Sequence, residues 1–292
     1  MDLQFLFEEP IIEIHELSPG YEDHASDVWL VKTDNQEVVV RSSRMSGEPN
    51  NDFWWGCKRL FGIDPRNVHE LENVNNLLSE CSTIPIPRVL RKGTSSREYV
   101  VVEKLVGQVV KSFIGQPASL LQSLGEGLAH IHQHQRRYIG NPSGSFQIQL
   151  QHFHDELIRV MKELVSKFYR NDQKIVHQLD EIIENLKGLP VPDSSTFVLV
   201  DMDPTQFLSN GKVITGLVDT EAYVIAPREL DFIALEYILD TKSAVAFQAG
   251  YEKVMKIPDL TNYRLPYRYL YRLLSVQGNV DLDHWLNQEI LF

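Results

Sequence analysis

Short apolar runs dominate the first hundred positions of the chain, and helical spacing dominates the rest. Val28-Trp29-Leu30-Val31 and Glu37-Val38-Val39-Val40-Arg41 flank Thr33-Asp34-Asn35-Gln36, a pattern that predicts a hairpin. Val68, Leu71, Val74, Leu77 and Leu78 predict a helix over 67–80, with Pro85 and Pro87 ending it. Val89-Leu90 and Tyr99-Val100-Val101-Val102 predict two further strands around a turn at Lys92–Ser96. After Gly107 the period changes. Leu120, Leu121, Leu124, Leu128 and Ile131 predict a helix over 117–135, and Leu157, Val160, Met161, Leu164 and Val165 mark one or two helices over 151–187. Further helices are predicted over 229–255 and 263–275. The chain therefore reads as α+β in two lobes: a β-rich front over 1–103, a hinge at 104–107 and a helical back over 108–292. Ligand clefts form at such junctions.

One stretch breaks this regularity. From Val198 to Glu221 the order is strand, polar loop, short strand, Asn-Gly-type turn, short strand, then a carboxylate. Asp201 and Asp219 stand at the ends of apolar segments, with Gln206 between them. Phosphoryl transfer needs such a set: one carboxylate to orient the attacking hydroxyl, and a carboxylate and an amide to hold Mg²⁺ on nucleotide phosphates. Asp203 competes with Asp201 for the first role, and spacing to Gln206 and Asp219 favours Asp201.

Composition narrows the partners. The 292 residues carry a net charge of −12, which excludes the basic excess typical of a nucleic-acid binder and suits a cationic substrate. The two cysteines, Cys57 and Cys81, form neither a metal motif nor a disulfide framework. The first residues lack the basic and apolar regions of a signal peptide, and no apolar run approaches a membrane span. The expected setting is cytoplasmic.

The Asp201–Asp219 stretch resembles the aminoglycoside phosphotransferase family, within the larger protein-kinase-like group. That family carries a His-Gly-Asp-x-x-x-x-Asn loop followed by an Ile-Asp-Trp/Phe-Glu-like element. Asp201 matches the first acid, Gln206 the amide position, and Asp219, in Leu217-Val218-Asp219-Thr220-Glu221, the second acid; Pro204 also falls at a familiar place. Asp231 resembles the structural aspartate that opens a back-lobe helix. In the front, Ser18–Ser26 lies where the family keeps its phosphate-covering loop, which brings in the Gly20 backbone and the Ser26 hydroxyl. Arg41 stands where the family has the phosphate-binding lysine, with Glu70 as its expected helix partner and Glu72 as second choice. Glu103-Lys104-Leu105 falls at the hinge that presents backbone groups to the base, so Glu103 and Leu105 are its candidates. The resemblance implies a two-lobed kinase-like fold, ATP or another nucleoside triphosphate with Mg²⁺, and phosphorylation of a small hydroxyl acceptor such as an aminoglycoside, amino sugar or amino alcohol. Three positions depart from the pattern. Leu199 and Val200 replace His-Gly, Gln206 replaces Asn, and Arg41 replaces Lys. Those departures keep two alternatives open: a nucleotide-binding pseudokinase, or a degenerate member that binds a small ligand.

Other clusters are expected to be structural. His130, His132 and His134 alternate along a helix and so point apart, which argues against a shared metal. Phe53-Trp54-Trp55 reads as a loop cluster packed between lobes, and Tyr267, Tyr269 and Tyr271 read as core. Asp281, Asp283 and Glu289 make an acidic C-terminal segment; in related enzymes such acids reach the substrate, and here a solvated tail is the simpler expectation.

Overall fold

A computed structural model describes residues 2–17 and 25–292. Five antiparallel strands open the chain: β1 (Glu13–Glu16), β2 (Ser26–Lys32), β3 (Glu37–Ser43), β4 (Val89–Thr94) and β5 (Glu98–Glu103), in the order β1-β2-β3-β5-β4. The predicted hairpin is present, and Thr33 N donates to Gln36 O at 2.9 Å across its turn. Lys92 and Gly93 lie within β4, not in a turn, because they pair with Val100 and Tyr99; the reversal falls at Ser95–Arg97. Alternation then sorts the strand residues by face. Trp29, Val31, Val38, Val40, Tyr99 and Val101 pack with Leu3, Leu6 and Phe7 on one side, whereas Val100 and Val102 meet Val68 and Leu71 on the other. Arg41 follows Val39 in this alternation and takes the second face.

Two helices follow β3. The Phe53-Trp54-Trp55 cluster lies in α1 (Asp52–Phe61) and not in a loop. Asn51 Oδ1 accepts from Trp54 N at 2.9 Å to start it, and Gly62, in the left-handed region, ends it. Trp54, Cys57, Leu60 and Phe61 form its buried stripe, and Gly56 is set against Leu164 and Leu274 of the back half. Packing thus crosses the boundary expected at residue 103. After a short 3-10 turn comes α2 (Leu71–Cys81).

The back half holds seven helices among the described residues: α3 (Ala118–Gln133), α4 (Phe153–Phe168), α5 (Gln173–Lys187), α6 (Glu229–Ile238), α7 (Thr241–Tyr251), α8 (Arg264–Leu273) and α9 (Leu282–Leu286). Two small sheets sit among them. One runs β11-β10-β6, from β6 (Gln108–Val109), β10 (Phe207–Ser209) and β11 (Ile214–Leu217). The other runs β8-β7-β12-β9, from β7 (Tyr138–Gly140), β8 (Gln147–Gln149), β9 (Thr196–Leu199) and β12 (Tyr223–Ala226). Tyr267, Tyr269 and Tyr271 are buried, as expected of core. No described helix is long and apolar enough to cross a membrane.

Asp231, near the start of α6, ties this body to the loop that follows β9. Its Oδ1 accepts from Leu199 N and its Oδ2 meets His132 Nε2, both at 2.9 Å, while His132 Nδ1 meets the Tyr251 hydroxyl at 2.9 Å. His132 is thus an interior hydrogen-bonding residue on α3. Burial pushes the Asp231 carboxyl up, and the bond to His132 opposes that. The linkage requires α3 and α7 to lie very close. A Cβ on Gly250 would stand 2.0 Å from Gln122 O, and one on Gly125 would stand 2.1 Å from Phe247 O. Backbone atoms cannot yield as a flexible side chain does. Gly250→Ala is therefore expected to lower unfolding free energy by about 1–3 kcal/mol in urea titrations, the range for an overpacked contact that forces backbone shifts. A midpoint equal to wild type would show that the two helices part without cost.

Candidate active site

The connection from β11 to β12 brings Asp219, Thr220 and Glu221 beneath the inner face of the front sheet. Asp219 has φ +59° and ψ +53°, a left-handed conformation that Asp tolerates better than most residues and that is often found at functional sites. Arg41 reaches this connection from β3. Its Nη2 lies 2.5 Å from Asp219 Oδ1 and 2.9 Å from Glu221 Oε1, and its Nε donates to the same Glu221 oxygen at 3.0 Å. The Ser26 hydroxyl donates to Glu221 Oε2 at 2.7 Å. Side-chain exposure separates the two acids: Arg41 is 9% exposed and Glu221 12%, while Asp219 is 51% exposed. Burial acts to lower the Arg41 pKa, but the charges of Asp219 and Glu221 outweigh it and hold the guanidinium firmly protonated.

Glu70 is not at this site in the way the sequence suggested. It is exposed at the N-terminal end of α2 and makes no ion pair with Arg41; Asp219 and Glu221 take that place. Glu72 pairs instead with Lys92. Glu70 does line a cavity of about 140 Å³ that also touches Glu221 and Tyr223. Helix α2 meets the Asp219 connection through a neutral contact: Thr220 Oγ1 donates to Asn75 Oδ1 at 2.5 Å, and both residues are buried.

The loop between β9 and β10 is braced from within. Asp203 Oδ1 accepts from Thr205 N at 2.8 Å, Pro204 occupies the first position of a one-turn helix, and Gln206 closes a reciprocal cap. Gln206 Oε1 accepts from Asp203 N at 2.9 Å, and its Nε2 donates to Asp201 O at 2.7 Å. Val218 N donates to Gln206 O at 2.8 Å, which fixes Asp219 relative to this loop. Asp201 is half-buried, and its carboxylate has no hydrogen-bond partner among the described residues. Burial, then the charges of Asp219 and Asp203, push its carboxyl well above the usual range. Burial and the charge on Asp201 likewise push up the Cys57 thiol of α1.

Gly20 lies outside the described residues. Glu103 ends β5, where its N–H donates to Arg88 O at 2.9 Å and its carboxylate meets Arg88 Nε at 3.1 Å. Leu105 packs against Gly216, and Thr215 Oγ1 donates to Val106 O at 2.9 Å, so β11 clamps the hinge. The acidic C-terminal segment is structural in its contacts. Asp281 caps α9 and, with Asp283, meets Lys174, while Glu289 accepts from Thr241. The residue of this cluster that the sequence reading missed is Glu221, although it belongs to the quoted motif. Two residues beyond Asp219, it differed from Glu70 by no local pattern.

The sequence profile described as the phosphotransferase enzyme family (APH) matches residues 16–265. No curated protein matches the sequence. Among solved structures, the GDP complex of wild-type aminoglycoside 2'-phosphotransferase-IIIa aligns with a TM-score of 0.60 at 17% identity, covering 92% of this chain and 85% of that one. Spectinomycin phosphotransferase APH(9)-Ia, in complex with ADP and spectinomycin, gives 0.60 at 14% identity over 94% and 84%. Macrolide 2'-phosphotransferase MphH from Brachybacterium faecium gives 0.57 at 9% identity over 92% and 93%. These likenesses establish the fold, and the profile, spanning most of the sequence, establishes the lineage: the chain belongs to the phosphotransferase enzyme family and has its two-lobed, protein-kinase-like architecture.

Proposed function

We propose that this chain transfers the terminal phosphoryl group of a nucleoside triphosphate to a hydroxyl of a small molecule. The observation that carries the reading is one convergence: a buried guanidinium, a half-exposed carboxylate against it, and Asp201 nearby with a carboxylate that makes no hydrogen bond to the described residues. In this reading Arg41 meets phosphate oxygens, with its planar fork suited to bidentate contact. Asp219 is the principal Mg²⁺ ligand. Its hard oxygens and its exposure fit that ion, which takes one or two carboxylates and completes its shell with phosphate and water. No cluster of three acidic, histidine or cysteine side chains suited to a metal occurs among the described residues, and this mode of binding needs none. Bound Mg²⁺ would supply charge neutralisation on the phosphates. Gln206 has its amide oxygen on Asp203 N, so any metal contact would use the second lone pair of that oxygen.

Asp201 orients the acceptor hydroxyl and takes up its proton. Because the transition state is largely dissociative, positioning is its larger contribution. The acceptor is small and cationic, an amino sugar, aminoglycoside-like compound or amino alcohol, which the net charge of −12 favours. The aligned structures are of aminoglycoside, spectinomycin and macrolide phosphotransferases, so hydroxyl-bearing antibiotics belong in the acceptor panel. The engagement of both ends of the Gln206 amide supports a second reading, a pseudokinase that binds nucleotide without transfer. Nucleotide binding with and without Mg²⁺, followed by nucleotide consumption across a panel of hydroxyl compounds, separates the two.

Three variants test the assignments. Asp219→Ala should abolish Mg²⁺-dependent nucleotide binding while leaving the circular dichroism spectrum unchanged; wild-type affinity for the Mg-nucleotide would remove Asp219 from the metal site. Asp201→Asn should lower turnover by at least about a hundredfold with nucleotide affinity little changed. The same variant should also be more stable than wild type at neutral pH. A carboxyl whose folded pKa is raised costs stability progressively as pH climbs from its unfolded pKa to its folded one, so the gain should be absent below the ordinary carboxylate range, grow above it and level off beyond the raised pKa. A gain that grows on acidification contradicts the assignment. Gln206→Asn should reduce both activity and melting temperature, because the shorter arm cannot reach Asp203 N and Asp201 O together. Higher activity in that variant would favour the pseudokinase reading.

A further inference from the structure

If Arg41 binds phosphate, something must hold it in place when Asp219 turns to a cation. The sequence pointed to a glutamate on α2 for that task, and the structure directs attention elsewhere. We propose that Glu221 is the positioning residue for Arg41, the fixed counter-ion that holds the guanidinium toward the phosphates in place of a helix glutamate. This inference rests on the phosphotransferase reading above.

The geometry divides the guanidinium into two edges. The Nε edge and Nη2 share Glu221 Oε1 at 3.0 and 2.9 Å, and the other Glu221 oxygen is held by the Ser26 hydroxyl at 2.7 Å. Both oxygens of Glu221 are therefore engaged, and the side chain is 12% exposed. Asp219 touches Nη2 alone and is 51% exposed. Withdrawal of Asp219 frees one N–H of Nη2 for a phosphate oxygen and leaves the Nε contact in place. A five-donor fork allows this division, whereas a lysine ammonium would have to exchange partners at a single nitrogen. Arginine at position 41 and glutamate at position 221 are thus one device.

The same connection gathers the neighbouring elements. Ser26 opens β2, at the end of the segment expected to cover phosphate, and its hydroxyl meets Glu221. Helix α2 ends on Thr220 through Asn75, whose Nδ2 also donates to Pro87 O at 2.8 Å. A helix tethered by a buried neutral hydrogen bond does not need a carboxylate to be registered against the site. That accounts for Glu70 standing exposed, with no ion pair to any described residue.

The test measures affinity for Mg-ATP and Mg-GTP in wild type, Glu221→Gln, Arg41→Met, the double variant and Glu70→Gln. Glu221→Gln preserves shape and an acceptor for Ser26 but removes the charge. It is expected to weaken binding about 10- to 100-fold, the effect of losing a supporting charged hydrogen bond. In the Arg41→Met background it should have no further effect, because Glu221 acts through Arg41; a merely structural role would give additive losses. Glu221→Asp, which keeps the charge but draws it back from Arg41, should also weaken binding and serves if Glu221→Gln fails to fold. Undiminished binding in the Glu221 variants, additive losses, or loss confined to Glu70→Gln would overturn the proposal. Failure of wild type to bind either nucleotide would instead overturn the phosphotransferase reading, and with it the phosphate role of Arg41.

Discussion

A guanidinium that cannot lose its charge is buried where the front sheet meets the back lobe, and the surrounding structure must accommodate it. Arg41 comes from a strand of the front sheet; its acids lie 178 and 180 positions away. An unpaired charge in so dry a place would cost several kcal/mol, so the pair constrains how the two halves meet. It also constrains what can enter. A cation drawn to Asp219 alone would remove one counter-ion from Arg41. A polyphosphate alone would bring anionic oxygens against Asp219. Together they exchange like for like: the cation takes Asp219, and a phosphate oxygen takes the vacated N–H. On the proposed phosphotransferase reading, this charge arrangement favours the metal–nucleotide complex over either component.

The loop between β9 and β10 depends on a second buried contact of a different kind. With Leu199 and Val200 in the family's His-Gly positions, no side chain at the start of the loop can make a polar tether. The tether comes through the backbone, from Leu199 N to Asp231, and Asp231 is steadied by His132 and, through it, Tyr251. A backbone amide is available whatever the residue, so leucine costs the loop nothing in hydrogen bonding. The load passes to α3 and α7, which explains why their closest approach is built from glycines. Substitution at the loop and close helix packing behind it belong to one solution.

What was legible in the sequence was local. Asp201, Gln206 and Asp219 could be placed because a short hairpin separates the last two and fixes their spacing, and the β2–β3 and β4–β5 pairs followed from alternation. The counter-ion of Arg41 was not legible, because ion-pair partners so far apart in sequence are chosen by the tertiary fold. Helix α1 carried its own signals, Asn51 at the start and Gly62 at the end, but three consecutive aromatic residues obscured its period. The run Tyr223-Val224-Ile225-Ala226 forms β12 and is too short to signal a strand without its partner β9. Alternation of His130, His132 and His134 argued that the three point apart. It could not reveal that the middle one turns inward to a buried acid.

Gln206 shows how one added methylene can change what a residue is for. An amide at this position has two ends, and both are engaged: nitrogen on Asp201 O, oxygen on Asp203 N. The longer arm lets one side chain bracket both acids of the loop, and so hold the Asp201 backbone in register with Val218 and Asp219. A shorter amide could keep one of these bonds and turn its other end to a metal, leaving Asp203 N to find another acceptor. In this chain the balance has moved from coordination toward rigidity. On the proposed reading, Asp219 would be left as the principal protein ligand, and any cation there would draw more of its shell from phosphate and water. Metal affinity in the absence of nucleotide should accordingly be weak, because the protein alone supplies too few oxygens to desolvate the ion.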